Sequence, residues 1–189
     1  KVIGPVIGDM ACGEFGEGKM SESLEIFNEI NNFFSTQLQN KKIKALVTAG
    51  PTNEYIDPVR FITNKSSGKQ GYEIAKSLLK RGFDTTLISG PTNLKIDENI
   101  NLIKVETAEE MFKATQKNLP TDIAIFSAAV ADFKLNQKNQ NKIKKQDRLT
   151  IHLEKNIDIL NYVSNHNSMR PKLVIGFAAE TEDLDKNAI

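Results

Sequence analysis

The sequence predicts an α/β domain whose mainly parallel sheet is covered by helices on both faces. Three observations carry the prediction. From residue 43 onward, short apolar runs of buried-strand type alternate with amphipathic helical patterns. Strands separated by helices of this length form βαβ units, and those units build parallel sheets with both faces covered. Finally, three loops of unusual composition, 49–68, 127–145 and 177–181, begin where predicted strands end. Ligands of such sheets sit beyond the carboxyl ends of the strands, so the three loops point to one composite site.

The elements follow in order. Residues 1–20 are rich in Gly and small residues and show no periodicity. In 22–38, "ESLEIFNEINNFFSTQL", Ile26, Ile30, Phe33 and Phe34 fall near helical spacing, which predicts a helix or helical linker before the polar break "QNKK". "IKALVTAG" (43–50) is a buried-type strand. "GYEIAKSLLKRG" (71–82) is a helix with Ile74, Leu78 and Leu79 on one face and Gly82 as its stop. "FDTTLISG" (83–90) and "NLIKVE" (101–106) are the next strands, and "TAEEMFKATQKN" (107–118) opens a helix with Thr107 and Glu110 in capping-box spacing. "TDIAIFSAAVAD" (121–132) is a strand running into a loop of small residues. "LTIHLEKN" (149–156) reads as a strand, "IDILNYVSNH" (157–166) as a helix, and "KLVIGFAAET" (172–181) as a last buried strand with a helix after it. The whole is a Rossmann-like, doubly wound pattern that stops short at its C-terminal end. Lys1 is not an initiator Met, and Ile189 falls inside "TEDLDKNAI", which reads as the first turns of a helix, so the sequence is expected to be a piece of a longer chain.

Composition narrows the function. A formal net charge of +1 argues against a dedicated nucleic-acid binder, and no apolar run approaches the roughly 18 residues that span a bilayer. With no charged-then-apolar signal at the start, a soluble cytoplasmic protein is expected. Cys12 is the only cysteine, which excludes an intramolecular disulfide and zinc sites built on several thiolates. The basic cluster "KNQNKIKK" (138–145) is suited to a phosphate-bearing ligand; its plainer use is a solvated loop.

The loop from 49 to 68 is far longer than the roughly 2–6 residues usual in α/β connections, and long ordered connections are commonly functional. It closes with "NKSSGKQG" at a helix start, where Ser66, Ser67, Gly68 and Lys69 together with unpaired N–H groups suit an anion. Plain N-capping by Ser66 or Ser67 is the other use of these residues. "SSGK" is not a P-loop, since positions 63 and 64 are Thr and Asn, and no G-x-G-x-x-G follows the first strand. Arg60 is able to clamp a phosphate or carboxylate, or to brace the loop by pairing with Asp57. Asn64 offers an amide donor for a developing oxyanion. In "SAAVADF" the small residues admit a planar ring, and Asp132 is either an acceptor for a base or sugar hydroxyl or a turn cap. Lys142, Lys144 and Lys145 suit a polyphosphate.

Together, "TAGPTNEYIDPVRFITNKSSGKQG", "SAAVADF", "KIKK", "LEKNIDIL" and "GFAAET" occur in the order and spacing of the bacterial phosphopantothenate–cysteine ligase domain, and the chain resembles that family from about residue 4 to its end. "ACGEFGEGKM" (11–20) is similar to the end of the phosphopantothenoylcysteine decarboxylase domain fused before the ligase in the bifunctional coenzyme A biosynthesis protein. The resemblance implies a tail of the decarboxylase domain in 1–20, a helical linker in 21–41 and an incomplete ligase domain in 42–189. It further implies that 4'-phosphopantothenate and CTP, with Mg2+, give an acyl-cytidylate and pyrophosphate, and that L-cysteine then expels CMP. By position, Arg60 and Asn64 resemble the residues that handle phosphopantothenate and the intermediate. Phe126, Ser127, Ala128 and Asp132 resemble the cytosine and ribose contacts, and Ile157, Asp158, Ile159, Leu160 and Phe177 complete the nucleotide pocket. Lys142 resembles the lysine needed to form the intermediate, and Cys12 the proton donor of the FMN-dependent decarboxylase. The sequence departs from the family pattern at Ile157, where proline is usual, and at Glu14 and Lys19, where Asp and Arg are usual. A homodimer, and a higher oligomer in the fused protein, come with the same resemblance.

Two other readings compete. An NAD(P)-binding oxidoreductase fits the βαβ pattern by analogy alone; the Tyr-x-x-x-Lys spacing occurs at Tyr72 and Lys76, inside the first helix, where such an enzyme does not place it. A nucleotide-binding module without chemistry is the other.

Overall fold

The computed structural model describes residues 6–9, 15–19, 21, 24–28, 42–145 and 147–177. They fall into two compact units, Lys1–Lys42 and Ile43–Ile189. In the first, β1 (Val6–Asp9) pairs antiparallel with β2 (Phe15–Lys19), so a stretch without periodicity in the sequence nonetheless contains a ribbon. Of the helix expected over 22–38, residues 24–28 are helical; 29–41 lie outside the described residues, as does Cys12.

The second unit is built on a five-stranded sheet. Its strands are β3 (Lys44–Ala49), β6 (Asp84–Ser89), β7 (Asn101–Lys104), β8 (Ile123–Phe126) and β11 (Leu173–Gly176), all parallel, in the spatial order β11-β8-β3-β6-β7. The chain enters at the centre, moves outward through β6 and β7, then crosses back to β8 and β11. Right-handed crossovers in opposite directions must cover opposite faces. Helix α1 (Lys69–Lys80) packs with Val47, Leu87 and Ile125 on one face. Helices α2 (Ala108–Lys117) and α3 (Ile159–Ser164) pack with Leu46, Ile88 and Ala124 on the other. Successive residues of β3, β6 and β8 therefore serve different faces, which is why these strands read as continuous apolar runs rather than alternating ones.

Two antiparallel ribbons interrupt the alternation. The stretch 49–68, expected as a loop, contains a hairpin of β4 (Asn53–Asp57) and β5 (Arg60–Thr63), with an irregular register between Tyr55 and Asp57. Its turn falls at Pro58 and Val59, where the Asp57 carboxylate accepts the N–H groups of Val59 (2.9 Å) and Arg60 (3.0 Å); Asp and Pro at these turn positions are the signal that length alone concealed. The second ribbon pairs β9 (Phe133–Leu135) with β10 (Leu153–Lys155), so the strand expected over 149–156 shortens to three residues.

Helix ends are fixed locally. Thr107 Oγ1 accepts Glu110 N (3.2 Å), while the Glu110 carboxylate turns back to Glu106 N (2.7 Å) rather than to Thr107, so the capping box is displaced by one residue. The buried carboxylate of Glu54, from the hairpin, accepts Ala108 N (2.9 Å) at the same helix start, where negative charge is favoured. Asp158 caps α3 through Asn161 N (2.9 Å).

Helix α1 approaches the sheet closely at Gly71. A Cβ there would lie 2.5 Å from Ala49 Cβ and 2.6 Å from Ser127 Oγ, so Gly71→Ala must push the helix off both β3 and the loop after β8. Overpacking of this kind costs about 1–3 kcal/mol; chemical denaturation of Gly71→Ala is expected to show a loss in that range, whereas Gly82→Ala, where a Cβ meets nothing within 4 Å, pays only for its positive φ of 84°.

Candidate functional site

The centre of the sheet supplies the site. Beyond the carboxyl ends of β3 and β8, the two chains continue side by side: Ser127 N donates to Thr48 O (3.2 Å), Ala129 N to Gly50 O (2.9 Å), and Pro51 pairs with Ala129 as a parallel bridge. Side chains extend the seam. Ser127 Oγ donates to Thr48 O (2.7 Å), and Thr52 Oγ1 accepts Ala131 N (3.0 Å). Thr48 and Thr52 are buried, and their hydroxyls serve the fold: Thr48 Oγ1 accepts Ala128 N (3.4 Å) as Thr52 Oγ1 accepts Ala131 N, so the 127–131 backbone has its partners.

Two further segments close around this seam. Asn64 Nδ2 donates to Val130 O (2.9 Å), which fixes the segment after β5 against the loop after β8. On the other side, buried Asn156 donates through its side chain to Ala131 O (3.0 Å) and through its backbone to Asp132 O (2.7 Å), while its own Oδ1 accepts Ile157 N (2.9 Å). The space between the segments is a cleft of about 970 Å³, of the size that takes a drug-sized ligand or larger. Phe126 and the small residues 127–131 form its floor, Met111, Ile159, Leu160 and Phe177 give apolar wall, and Asn64, Lys65, Ser66, Gln70, Asp132, Lys155 and Asp158 bring polar groups to it. A smaller cavity, about 360 Å³, lies at the opposite ends of the strands between Lys44, Asp84, Thr86, Asn101 and Thr121.

Of the residues singled out in the sequence, Asn64, Ser66, Phe126, Ser127, Ala128, Asp132, Ile157, Asp158, Ile159, Leu160 and Phe177 line this one cleft. Arg60, Ser67, Gly68, Lys69 and Lys142 do not. Gly68 takes a positive φ of 74° as the N-cap of α1, with Ser66 Oγ accepting its N–H (3.2 Å) and Ser67 Oγ accepting Lys69 N (3.4 Å). A Cβ on Gly68 would reach 2.8 Å from Thr92 Cγ2, so glycine is needed there for both conformation and space. Sequence reasoning passed over Asn156, Lys155, Gln70 and Lys65. Lys155 and Asn156 sit in the quoted "LEKNIDIL", and Lys65 and Gln70 in "NKSSGKQG"; all four line the cleft, and Asn156 owes its place to bonds with Ala131 and Asp132, far away in the chain.

Arg60 and Lys142 belong to a neighbouring cluster. Arg60 Nη1 pairs with Asp57 Oδ2 at 2.6 Å and also donates to Ile143 O (3.2 Å), and Asp57 Oδ2 accepts Ile143 N (3.1 Å). The bracing reading of Arg60 is thus the contact found. Desolvation pushes the buried Asp57 carboxyl up, but the N–H groups of Val59, Ile143 and Arg60, joined by the guanidinium charge, prevail and hold it below the usual carboxylate range. Midway along the hairpin, Tyr55 donates to Glu106, a hydrogen bond that raises the phenol above its ordinary range, and Lys138 lies 4.5 Å from the centre of the Tyr55 ring.

Fold and cleft together define a Rossmann-like α/β domain with a ligand-sized crevice at the switch point of a parallel sheet. The chain belongs to the family of the DNA/pantothenate metabolism flavoprotein C-terminal domain, whose model matches residues 38–189. It is 45% identical over 190 residues to the coenzyme A biosynthesis bifunctional protein CoaBC of Haemophilus influenzae, covering 100% of this chain and 47% of the relative. With the CoaBC of Escherichia coli it shares 41% identity over 192 residues, 99% of this chain and 47% of that one. The chain therefore spans about half the length of the curated relatives it matches. Among solved structures, the C-terminal domain of CoaBC superposes with a TM-score of 0.65 at 39% identity, covering 77% of this chain and 69% of that chain. A mutant of Cab2 in complex with phosphopantothenate-cysteine shares the fold at 20% identity, with a TM-score of 0.59 over 90% of this chain and 78% of its own.

Two predictions follow from the geometry. Asn156→Ala leaves the Ala131 carbonyl buried without its donor and is expected to cost about 1–3 kcal/mol in denaturant unfolding. Because the Asp57 pKa is lowered on folding, its contribution to stability is present above the unfolded value of about 4 and is lost as pH falls through the lower folded value. The stability difference between the wild type and Asp57→Asn, measured by denaturant unfolding, is expected to be constant from pH 5 to 8, since the carboxyl stays ionised across that window, and to shrink below about pH 4.

Proposed function

We propose that this chain carries the phosphopantothenate–cysteine ligase reaction. The carboxylate of 4'-phosphopantothenate attacks the α-phosphorus of CTP and pyrophosphate leaves; the amine of L-cysteine then attacks the acyl-cytidylate carbonyl and CMP leaves. The observation that carries this reading is the convergence of Asn64, Phe126, Ser127, Ala128, Asp132 and residues 157–160 on one cleft, although they come from three separate stretches of sequence. Family membership supports it, as do relatives named for coenzyme A biosynthesis. The second activity implied by "bifunctional" is assigned to no described residue of this chain.

Each residue has a physical task in this reading. The small residues of 127–131 admit the cytosine ring beside Phe126, and Asp132 accepts from the base or the ribose. Val130 O holds one hydrogen of the Asn64 amide, which fixes the plane of the amide and directs the other hydrogen to a developing oxyanion. The start of α1, from which Ser66 and Gln70 reach the cleft, receives the acyl substrate's anionic end; Gly68 N and Lys69 N are held by the Ser66 and Ser67 hydroxyls, so the attraction comes from the positive end of the helix dipole. Lys142 neutralises charge at the triphosphate, and Lys65 and Lys155 add positive charge inside the cleft. Asp132 and Asp158 are the carboxylates of the lining, and no group of three or more metal-type ligands occurs among the described residues. That donor set fits Mg2+ arriving on the triphosphate, which needs only one or two protein carboxylates; bound there, it supplies charge neutralisation at the leaving pyrophosphate. Cytoplasmic location and a homodimer belong to the same proposal; no described helix is long and apolar enough to cross a membrane.

The oxidoreductase alternative is not favoured. Tyr72, the tyrosine with the right spacing to a lysine, is buried with its hydroxyl bonded to Ser89 (3.1 Å) and Thr92 (2.9 Å), where no substrate reaches it.

The test is pyrophosphate release from CTP and 4'-phosphopantothenate with Mg2+, without cysteine, in the full chain. Release that needs both substrates is expected, with a loss of about 10²–10³-fold in Lys142→Gln, the scale of removing one preorganised stabiliser of developing charge. Asn64→Ala is expected to keep the release and slow the cysteine step. A folded chain that releases no pyrophosphate would leave a nucleotide-binding module.

A further inference from the structure

Asp57 is a fully buried carboxylate that the chemistry above does not use. Both its oxygens are committed. Oδ1 takes the N–H groups of Val59 and Arg60 within its own turn, and Oδ2 takes the Arg60 guanidinium and Ile143 N from a segment 86 residues away. Arg60 Nη1 then reaches Ile143 O, so the pair grips Ile143 by both of its backbone groups. A second backbone bond, Asn139 N to Ile56 O (3.0 Å), ties the same segment to the same hairpin four residues earlier. Ile143 is the residue between Lys142 and Lys144. These two attachments stand on either side of the approach to Lys142, in a stretch with no strand or helix of its own.

We propose that Asp57 and Arg60 form a positioning clamp for the lysine segment 138–145, and that Arg60 acts on the reaction through this segment rather than by touching substrate. The inference rests on the ligase reading for its chemical consequence but not for its geometry. A lysine on an unanchored loop loses most of its value as a preorganised charge, because it must be ordered when the triphosphate arrives. Held at Ile143, the segment meets that cost during folding. A buried acid in the hairpin turn is therefore a positioning residue for a base-rich loop more than eighty residues later.

The test compares Asp57→Asn, Arg60→Ala and the double variant with the wild type in the full chain. Hydrogen exchange read by mass spectrometry is expected to quicken tenfold or more in peptides covering 138–145 in both single variants, with peptides of β3 and β8 unchanged. In the pyrophosphate assay kcat is expected to fall at least tenfold, with KM for 4'-phosphopantothenate within twofold of wild type, and the double variant to be no worse than Asp57→Asn alone, as for residues acting as one unit. The Arg60 side chain is 42% exposed, so Arg60→Ala keeps the test open if Asp57→Asn fails to fold. Unchanged exchange in 138–145 would overturn the clamp, as would loss of protection spread equally over β3 and β8. A raised KM in Arg60→Ala with Asp57→Asn behaving as wild type would also overturn it, since that is the signature of direct substrate contact. If the wild type releases no pyrophosphate, the ligase reading fails and the exchange experiment still decides the clamp.

Discussion

The structure depends on the seam between the chains leaving β3 and β8. Parallel pairing of these strands ends at Thr48 and Phe126, yet bonds from Ser127 N to Thr48 O and from Ala129 N to Gly50 O carry it onward. At this point the sheet's topology works against closure, because the crossover after β3 goes to one face and the connection after β8 to the other. The crevice between diverging chains would collapse or fray if their backbone groups had no partners. Because Thr48, Thr52 and Ser127 supply those partners, the crevice persists as a rigid floor, and Asn64 and Asn156 attach their segments to it.

The same requirement explains the polar residues of the interior. Asp57, Thr52, Glu54 and Asn156 are all buried, and each bonds to backbone from a distant part of the chain. Among the described residues, Thr115 Oγ1 is the one buried side-chain polar atom without a partner. Burying such groups is costly unless they are paired, so their positions are set by the backbone that needs them. They act as long-range fasteners between loops for which apolar packing is scarce.

How much of this was legible follows from the range of the interactions involved. The strands β3, β6 and β8 could be read from the sequence because burial on both faces forces a continuous apolar run, and α1 and α2 because one face must be apolar at helical spacing. The hairpin β4–β5 was hidden: "NEYID" and "RFIT" mix polar and apolar residues, and one partner of its strand, Glu106, lies about fifty positions on. β10 falls inside the strand expected over 149–156, but its partner β9 was hidden, three residues being too few to show a period. Within the site, the residues that line the cleft through their own motif were legible, while Asn156 was not, since a single Asn carries no signal that it will hold Ala131 and Asp132.

Charge shows the difference most clearly. A net charge of +1 hides a segment with four lysines among eight residues, 138–145, whose usefulness to an anionic ligand depends on nothing nearby cancelling it. An unpaired carboxylate used to anchor that segment would do the cancelling, because a unit charge a few ångströms away lowers the local potential as much as one lysine raises it. Asp57 anchors the segment, but it is paired with Arg60 at 2.6 Å, so the anchor is electrically neutral as a pair. A neutral amide in place of Asp57 would present a donor as well as an acceptor, and so would not serve three backbone N–H groups and a guanidinium at once. An acid alone would bring the right acceptors and the wrong charge. Only the acid with its arginine offers enough acceptor sites to hold the lysine loop while leaving the field of the lysines intact.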